Sequence, residues 1–427
     1  MDSPRNRLLV IRPGWLIDGL GGPPLEGVSV VLQGSRILWA GPGEQLRGPA
    51  GPLGGAFSEA APEVLDFPGA TLLPGLVDCH THTNMPGDGR TGEQVDLEDD
   101  DTRLLRSTRN VRIALRSGVT TLADCGAWNR TGFSLRRGIN QGLVDGPRVL
   151  VAGRPVTSTG GHLWYMGGEA DGVEGVRHQV RRLIKEGADF IKVVASGGST
   201  VTSDPFRPSL TVDEISAACQ EAHNRGKPVA AHCRSTVSIN NALEAGVDLV
   251  LHCGFYDPDG SYRFDQATAE RLVHSGVWVN PTLHIGRPRL AALRQKRDHD
   301  HLTAEETALL ERMELGEPIR MEQFGRLAAI GVKLIGGSDC GWGSYEFGDF
   351  QGELMALVDT GLSPMEAILA GTRHAAAALG VLESAGTIEP GKEGDLLLVD
   401  GNPAEDIARL RRVVAVFRGG RRVDGCP

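Results

Sequence analysis

The stretch LPGLVDCHTH, residues 73–82, decides the fold. A proline–glycine pair opens an apolar run that closes on two histidines one residue apart. On a β-strand, residues i and i+2 share a side. His80 and His82 therefore project together, Asp78 has their parity, and Cys79 points the other way. Two imidazoles held side by side make half of a divalent-metal site. A strand end carrying two solvated histidines is the plainer alternative, and the rest of the chain has to choose between them.

Outward from this stretch, between residue 72 and about 382, short apolar runs alternate with longer amphipathic ones. The runs are GLVDCH, VTTLADCG, RVLVAG, FIKVVASGG, PVAAHC, LVLHCG, VWVNPT and KLIGGSDCG, eight candidate strands. Between them, segments such as DTRLLRSTRNVRIALRSG and GVEGVRHQVRRLIKEG place apolar residues three to four apart and close on glycine, which predicts helices. Eight strand–helix units over roughly 310 residues fit a (β/α)8 barrel better than an open doubly wound sheet. The glycine-rich phosphate loops expected of the open sheet are missing.

Both chain ends read differently. Residues up to about 70 and those after about 383 hold short β-rich runs broken by Gly and Pro, with a hairpin turn at Gln33–Gly34–Ser35 and a loop-like segment over 46–62. The expected architecture is α/β: a catalytic barrel over residues 71–382, joined to one small composite β-sandwich built from 1–70 and 383–427.

Bulk properties narrow the function. A chain of 427 residues with 40% hydrophobic and 23% charged content is long enough for one large domain and a small one. A formal net charge of −10 disfavours a nucleic-acid partner. No run is apolar enough to span a membrane, and MDSPRNRLLV lacks a signal-peptide core. Seven scattered cysteines without CxxC pairs argue against a disulfide framework, so a reducing cytoplasm is expected. The expected partner is a small-molecule substrate. A homo-oligomer is left open.

In a barrel of this kind, function sits at the C-terminal ends of the strands. Strand one ends in His80 and His82, strand five in His232, strand six in His252 and strand eight in Asp339, while strand four carries Lys192 in FIKVVAS. Strands two, three and seven end without an obvious ligand. A lysine on a buried strand is costly unless paired, and desolvation lowers its pKa. It would serve as an internal ion pair, a Schiff-base amine, or a neutral amine that adds carbon dioxide to become a carbamate bridging two cations. The surrounding histidines and aspartate favour the carbamate. Cys79, Cys233, Cys253 and Cys340 adjoin these residues, but alternation turns them away as small buried apolar groups.

In this order, LPGLVDCHTH, FIKVVASGG, AAHC, LHCG and GGSDCG resemble the amidohydrolase superfamily. TGGH (159–162), GGEADG (167–172) and the tail GTIEPGKEGDLLLVDGNP are similar to its branch of imidazolonepropionase-related proteins and Xaa-Pro dipeptidases. The resemblance implies that His80, His82 and Asp339 hold a buried metal, that His232 and His252 hold a more exposed one, and that Lys192 as its carbamate bridges the two. Zinc suits these ligands, with manganese, iron or cobalt as alternatives. His162 and Tyr256 are the implied substrate contacts.

Two cations about 3.5–4 Å apart can share a hydroxide and polarise a carbonyl. The expected reaction is hydrolysis of an amide by that bridging hydroxide, with Asp339 as proton shuttle, and of esters or lactones with less demand on the leaving group. The substrate expected is an N-acyl amino acid, dipeptide or cyclic amide. A one-metal deaminase or cyclic-amidine hydrolase is the main alternative. It has no use for Lys192, and HCRSTVS lacks the glutamate that such enzymes place after the fifth strand. A non-catalytic assembly protein is disfavoured because all six ligands are present.

Overall fold

The computed structural model describes residues 8–48, 51–53 and 62–426. Most of the loop-like segment 46–62 and the first seven residues lie outside them. The chain is α/β. All eight candidate strands form: Leu76–Thr81, Val119–Asp124, Arg148–Val151, Ile191–Val194, Val229–His232, Leu249–Leu251, Trp278–Asn280 and Lys333–Leu334. They pair in parallel as a three-stranded sheet (strands one to three) and a five-stranded sheet (strands four to eight). Apart from Arg148, Trp278 and Lys333 at strand starts, the residues of these strands are buried on both faces, as expected where helices cover a parallel sheet.

Backbone contacts link the edges of the two sheets. Past strand three, Val156 bridges Val193 of strand four, its amide donating to the Lys192 carbonyl at 2.8 Å. Past strand eight, Cys340 bridges Thr81 of strand one, and the Asp339 amide donates to the His80 carbonyl at 2.6 Å. Residues from opposite ends of the series thus meet.

Helices follow the strands where the periodicity predicts them, including Asp100–Arg116, Gly172–Glu186 and Val212–His223. Several start with a reciprocal cap. The Thr211 hydroxyl accepts from the Glu214 amide while the Glu214 carboxylate accepts from the Thr211 amide. After strand seven the chain inserts two helices, Arg287–His299 and Ala304–Ala329, before reaching strand eight.

Strands from both chain ends share one eight-stranded sheet. Leu396–Asp400 pairs antiparallel with Glu63–Pro74, which runs parallel to Leu8–Leu16. Leu396, Leu397, Leu398 and Val399 are fully buried within it. The hairpin Val28–Gln33 to Arg36–Pro42 turns over Gly34 and Ser35, with Gly34 at φ +57° as such tight turns require.

Candidate metal centre

Strand one does not run straight into the site. Asp78 pairs with Leu122 and Thr81 with Asp124, so three steps on strand one face two on strand two. This is a bulge, a device common beside active sites. His82 lies one residue past the strand end, yet Nε2 of His80 and Nε2 of His82 each stand 3.4 Å from Asp339 Oδ1. His252 joins them: its Nδ1 lies 3.9 Å from Asp339 Oδ2. One ligand atom each from His80, His252 and Asp339 fall within 4.8 Å of one another. The resemblance would assign His252 to a different metal from His80 and Asp339, so this grouping is tighter than that division suggests. The His232 ring is next, 4.4 Å from that of His252, and the His162 ring lies 4.7 Å from His232.

The hydrogen-bond network sets which nitrogen of each ring is free. The His82 Nδ1–H donates to the Gly126 carbonyl at 3.0 Å, and the His232 Nε2–H donates to the Gly197 carbonyl at 3.1 Å. Carbonyls only accept, so His82 keeps a lone pair on Nε2 and His232 keeps one on Nδ1. His80 is held by Asn280 from strand seven. Asn280 Nδ2 donates to the Gly337 carbonyl at 2.9 Å, which turns its Oδ1 toward His80 Nδ1 at 3.0 Å. The His80 proton therefore sits on Nδ1, and its Nε2 lone pair faces Asp339. Gly337 is required here, because a Cβ would meet Cys79 Sγ at 2.6 Å and the Asn280 amide at 2.8 Å. His252 Nδ1 is bonded to Thr282 Oγ1 at 2.9 Å.

Two lone pairs thus converge on Asp339 Oδ1, a buried oxygen with no hydrogen-bond partner. Acceptors facing acceptors are unfavourable unless a positive charge lies between them, and that is what a cation supplies. Burial, followed by the Lys192 charge, holds His82 down at about 3 and holds His80 well below its ordinary value, so both rings are neutral and ready to ligate. Burial likewise depresses His232 and His252. It pushes Asp339 up to about 7 against the pull of Lys192, so without a cation the carboxyl holds a proton near neutrality. The residues present fit a bound divalent metal.

Lys192 is 1% exposed, and desolvation lowers its pKa. Its charge is felt by His80, His82, His162, His232, His252 and Asp339 alike, which places it among them. Among the described residues it makes no ion pair. The four cysteines beside the ligands are buried free thiols.

His162 is buried against the cage, its Nδ1 bonded to Thr200 Oγ1 at 2.8 Å. Tyr256 packs its ring against Phe206 and Tyr262 and lines a cavity whose wall includes none of the candidate ligands.

Four features were not read from the sequence. Asn280 orients His80 from a strand that offers no ligand. Asp78 points at no metal; it accepts from the Ser338 amide at 2.9 Å, the Ser338 hydroxyl at 2.6 Å and the His80 amide at 3.2 Å, tying strand one to strand eight. Trp342 packs edge-on to His82, ring centres 5.4 Å apart. His252, Cys253, Thr282 and Asp339 adopt φ of +65°, +48°, +52° and +56°. Non-glycine residues rarely sit there, and such strain concentrates at functional sites. Only the motif VWVNPT held any signal for Asn280, a polar residue closing an apolar run.

The comparisons agree with this geometry. The amidohydrolase family profile matches residues 71–423. An ochratoxinase of Aspergillus niger is 26% identical over 98% of this chain and 87% of its own length. An imidazolonepropionase of Acidiphilium cryptum is 26% identical over 89% and 88%. The solved structure of a Xaa-Pro dipeptidase with bound methionine superposes with a TM-score of 0.81 at 27% identity, covering 98% of this chain and 100% of that one. The chain belongs to the amidohydrolase family, in the branch of the imidazolonepropionases and Xaa-Pro dipeptidases, and is a hydrolase of carbon–nitrogen bonds.

Proposed function

We propose that the protein is a binuclear metal hydrolase of an amide bond in a small molecule such as an N-acyl amino acid, a dipeptide or a cyclic amide, acting in the cytoplasm. The observation that carries this reading is Asp339 Oδ1, buried without a partner and faced by the lone pairs of His80 and His82. In this reading the eight strands close as a (β/α)8 barrel over 71–382, and the shared sheet of 1–70 and 383–427 is its companion sandwich. His80, His82 and Asp339 would hold one cation, and His232 and His252 a second. Lys192 as a carbamate would bridge them. Zinc is the metal that this ligand set suits best.

Bound divalent metals would supply Lewis acidity and a water acidic enough to attack at neutral pH. The chain does the rest. Asp339 takes the proton of the attacking water on a carboxylate oxygen and passes it to the departing nitrogen. Its αL backbone and the bond from its amide to the His80 carbonyl hold it at the strand end. His162, anchored by Thr200 through Nδ1 with its ring beside that of His232, would hydrogen-bond the substrate carbonyl through Nε2. Trp342 packs edge-on against the His82 ring and would flank a bound substrate on that side.

Buried Lys192 favours this reading over a one-metal deaminase. Metal analysis of the purified protein, followed by a screen of N-acyl amino acids, dipeptides, cyclic amides and lactones, tests it. Two metals per chain and amide turnover are expected. A single metal with an unmodified Lys192 would refute the binuclear reading.

A further inference from the structure

The helix Ala304–Ala329, inserted after strand seven, turns polar side chains inward. Leu315 is 73% exposed and Ile319 44%, so apolar residues of its middle turns face out. Gln323, by contrast, is 2% exposed, and Arg320 lies half-buried three residues earlier on the same face. A buried amide side chain is costly unless bonded, so its partner is informative. Gln323 donates through Nε2 to the Cys253 carbonyl at 2.8 Å. Arg320 donates through Nη2 to the carbonyls of Pro281 (3.1 Å) and Thr282 (2.9 Å). The fully buried Glu353 accepts the next two amides, those of Leu283 (2.9 Å) and His284 (2.7 Å). Four consecutive residues after strand seven are thus held by one cation and one anion, and each charge feels the other. Neither side chain forms an ion pair among the described residues, so both charges act on this backbone.

Both targets are strained, and both lead to His252. Of the four histidines at the strand ends, only His252 has left-handed backbone, at φ +65°, and Cys253 follows at +48°. Thr282, in the second turn, stands at +52°. Such backbone persists in non-glycine residues only where surrounding contacts over-determine it. Gln323 supplies such a contact to the first turn, and Arg320 with Glu353 supplies four to the second. The two turns meet at one bond, between Thr282 Oγ1 and His252 Nδ1 at 2.9 Å. The His252 amide is tied to the same segment, donating to the Asn280 carbonyl at 2.8 Å. When the His252 Nδ1–H donates to the threonine hydroxyl, the Nε2 lone pair is left for a cation, as at His80.

We propose that Gln323, Arg320 and Glu353 are positioning residues for His252: they hold the two left-handed turns that aim its ring, and so set the affinity for the cation it shares with His232. This rests on the binuclear reading above. The cation of His80, His82 and Asp339 does not depend on these residues, because His80 is oriented separately by Asn280 and His82 by the Gly126 carbonyl. The inserted helix thereby serves the second cation of the pair. Loss of its grip leaves a chain that still folds and still binds one ion.

The test titrates full-length, metal-free protein with zinc in bicarbonate buffer against a chromophoric chelator, so that two affinities are read separately and without turnover. Gln323→Leu and Thr282→Val should each weaken the looser site about 10- to 100-fold and leave the tighter one within about twofold. Thr282→Ser keeps the hydroxyl and should restore most of the lost affinity, which a general loss of folding would not allow. Arg320→Met should act as Gln323→Leu does, and Arg320→Lys, which still donates, should lose less. Variants that bind both ions as tightly as the wild type overturn the proposal and leave the binuclear reading standing. Equal weakening of both sites also overturns it, because the residues then support the fold and not His252. A wild-type protein that takes up a single zinc refutes the binuclear reading itself, and the proposal with it.

Discussion

Asn280→Leu isolates the tautomer lock. Leucine is close to asparagine in shape, and position 280 is 0% exposed, so water cannot replace what is lost. Two bonds disappear: the one accepted from His80 Nδ1 (3.0 Å) and the one donated to the Gly337 carbonyl (2.9 Å). The 3.4 Å contact to the Ile335 carbonyl is too long to add much. Each orphaned buried group costs about 1–3 kcal/mol, so the metal-free protein should lose about 2–6 kcal/mol. The second effect concerns the metal. Without Asn280 the His80 proton is free to move to Nε2, where it can donate to Asp339 Oδ1 and occupy the cation's place. Loss of such an orienting partner typically weakens metal binding about 10- to 100-fold, or about 1.4–2.7 kcal/mol. Chelator competition measures the affinity and guanidinium unfolding of the metal-free protein measures the stability. Asn280→Asp is the control: it keeps an acceptor for His80 but faces the Gly337 carbonyl with a second acceptor, so it should lose stability and retain metal. Affinity within twofold of wild type in Asn280→Leu, with stability reduced as expected, would show that Asn280 only packs and that His80 needs no lock.

Other outcomes follow from the same geometry. Asp339→Asn should keep part of the metal while turnover falls about 10²- to 10⁴-fold, whereas His80→Asn should lose metal and turnover together; near-normal turnover with full metal in Asp339→Asn would move the proton role to a group such as His162. Metal loading should depend on pH: Asp339 in the metal-free fold holds its proton below about 7, so a cation must expel it at pH 6 but not at pH 8. Affinity should therefore rise with pH through about 7, with more protons released per chain at pH 6, as calorimetry in buffers of different ionisation enthalpy would record; equal release at both values would contradict this. Metal reconstitution of apo-protein depleted of carbon dioxide should restore turnover only when bicarbonate is added, and indifference to bicarbonate would argue against a Lys192 carbamate. Deleting residues 384–427 removes the strands Leu396–Asp400 and Val413–Arg418 together, leaves Glu63–Pro74 as an open edge, and should yield aggregated protein; a soluble, active truncation would show that the shared sheet is dispensable.

Much of this site is written locally. His80, His82, His232, His252 and Asp339 each close a short apolar run, and alternation tells which side they face, so strand position alone nominates them. Lys192 is legible because a buried lysine is costly and therefore conspicuous. What was not legible depends on contacts distant in sequence. Asn280 looks like a strand-ending polar residue until Gly337 brings strand eight against it. Asp78 shares the parity of the two histidines, and only the bulge and Ser338 show that it fastens two strands. Arg320 sits on the helix Ala304–Ala329, an insertion after strand seven whose course no periodicity reveals. Left-handed backbone at Thr282 is likewise invisible, because a β-branched residue gives no local hint of it.

The fastening of Asp78 to Ser338 has a consequence for biogenesis. The two residues are separated by 260 positions. At roughly 5–20 residues per second a ribosome needs about 10–50 s to cover that distance. During that interval His80 and His82 exist without Asp339, and the bulged first strand lacks the neighbour that pins it. The histidine pair is then at most a weak, open chelate, able to sample whichever divalent ion is abundant. Selection among metals is thereby deferred to the last step of folding, when strand eight arrives and the acid closes the cage.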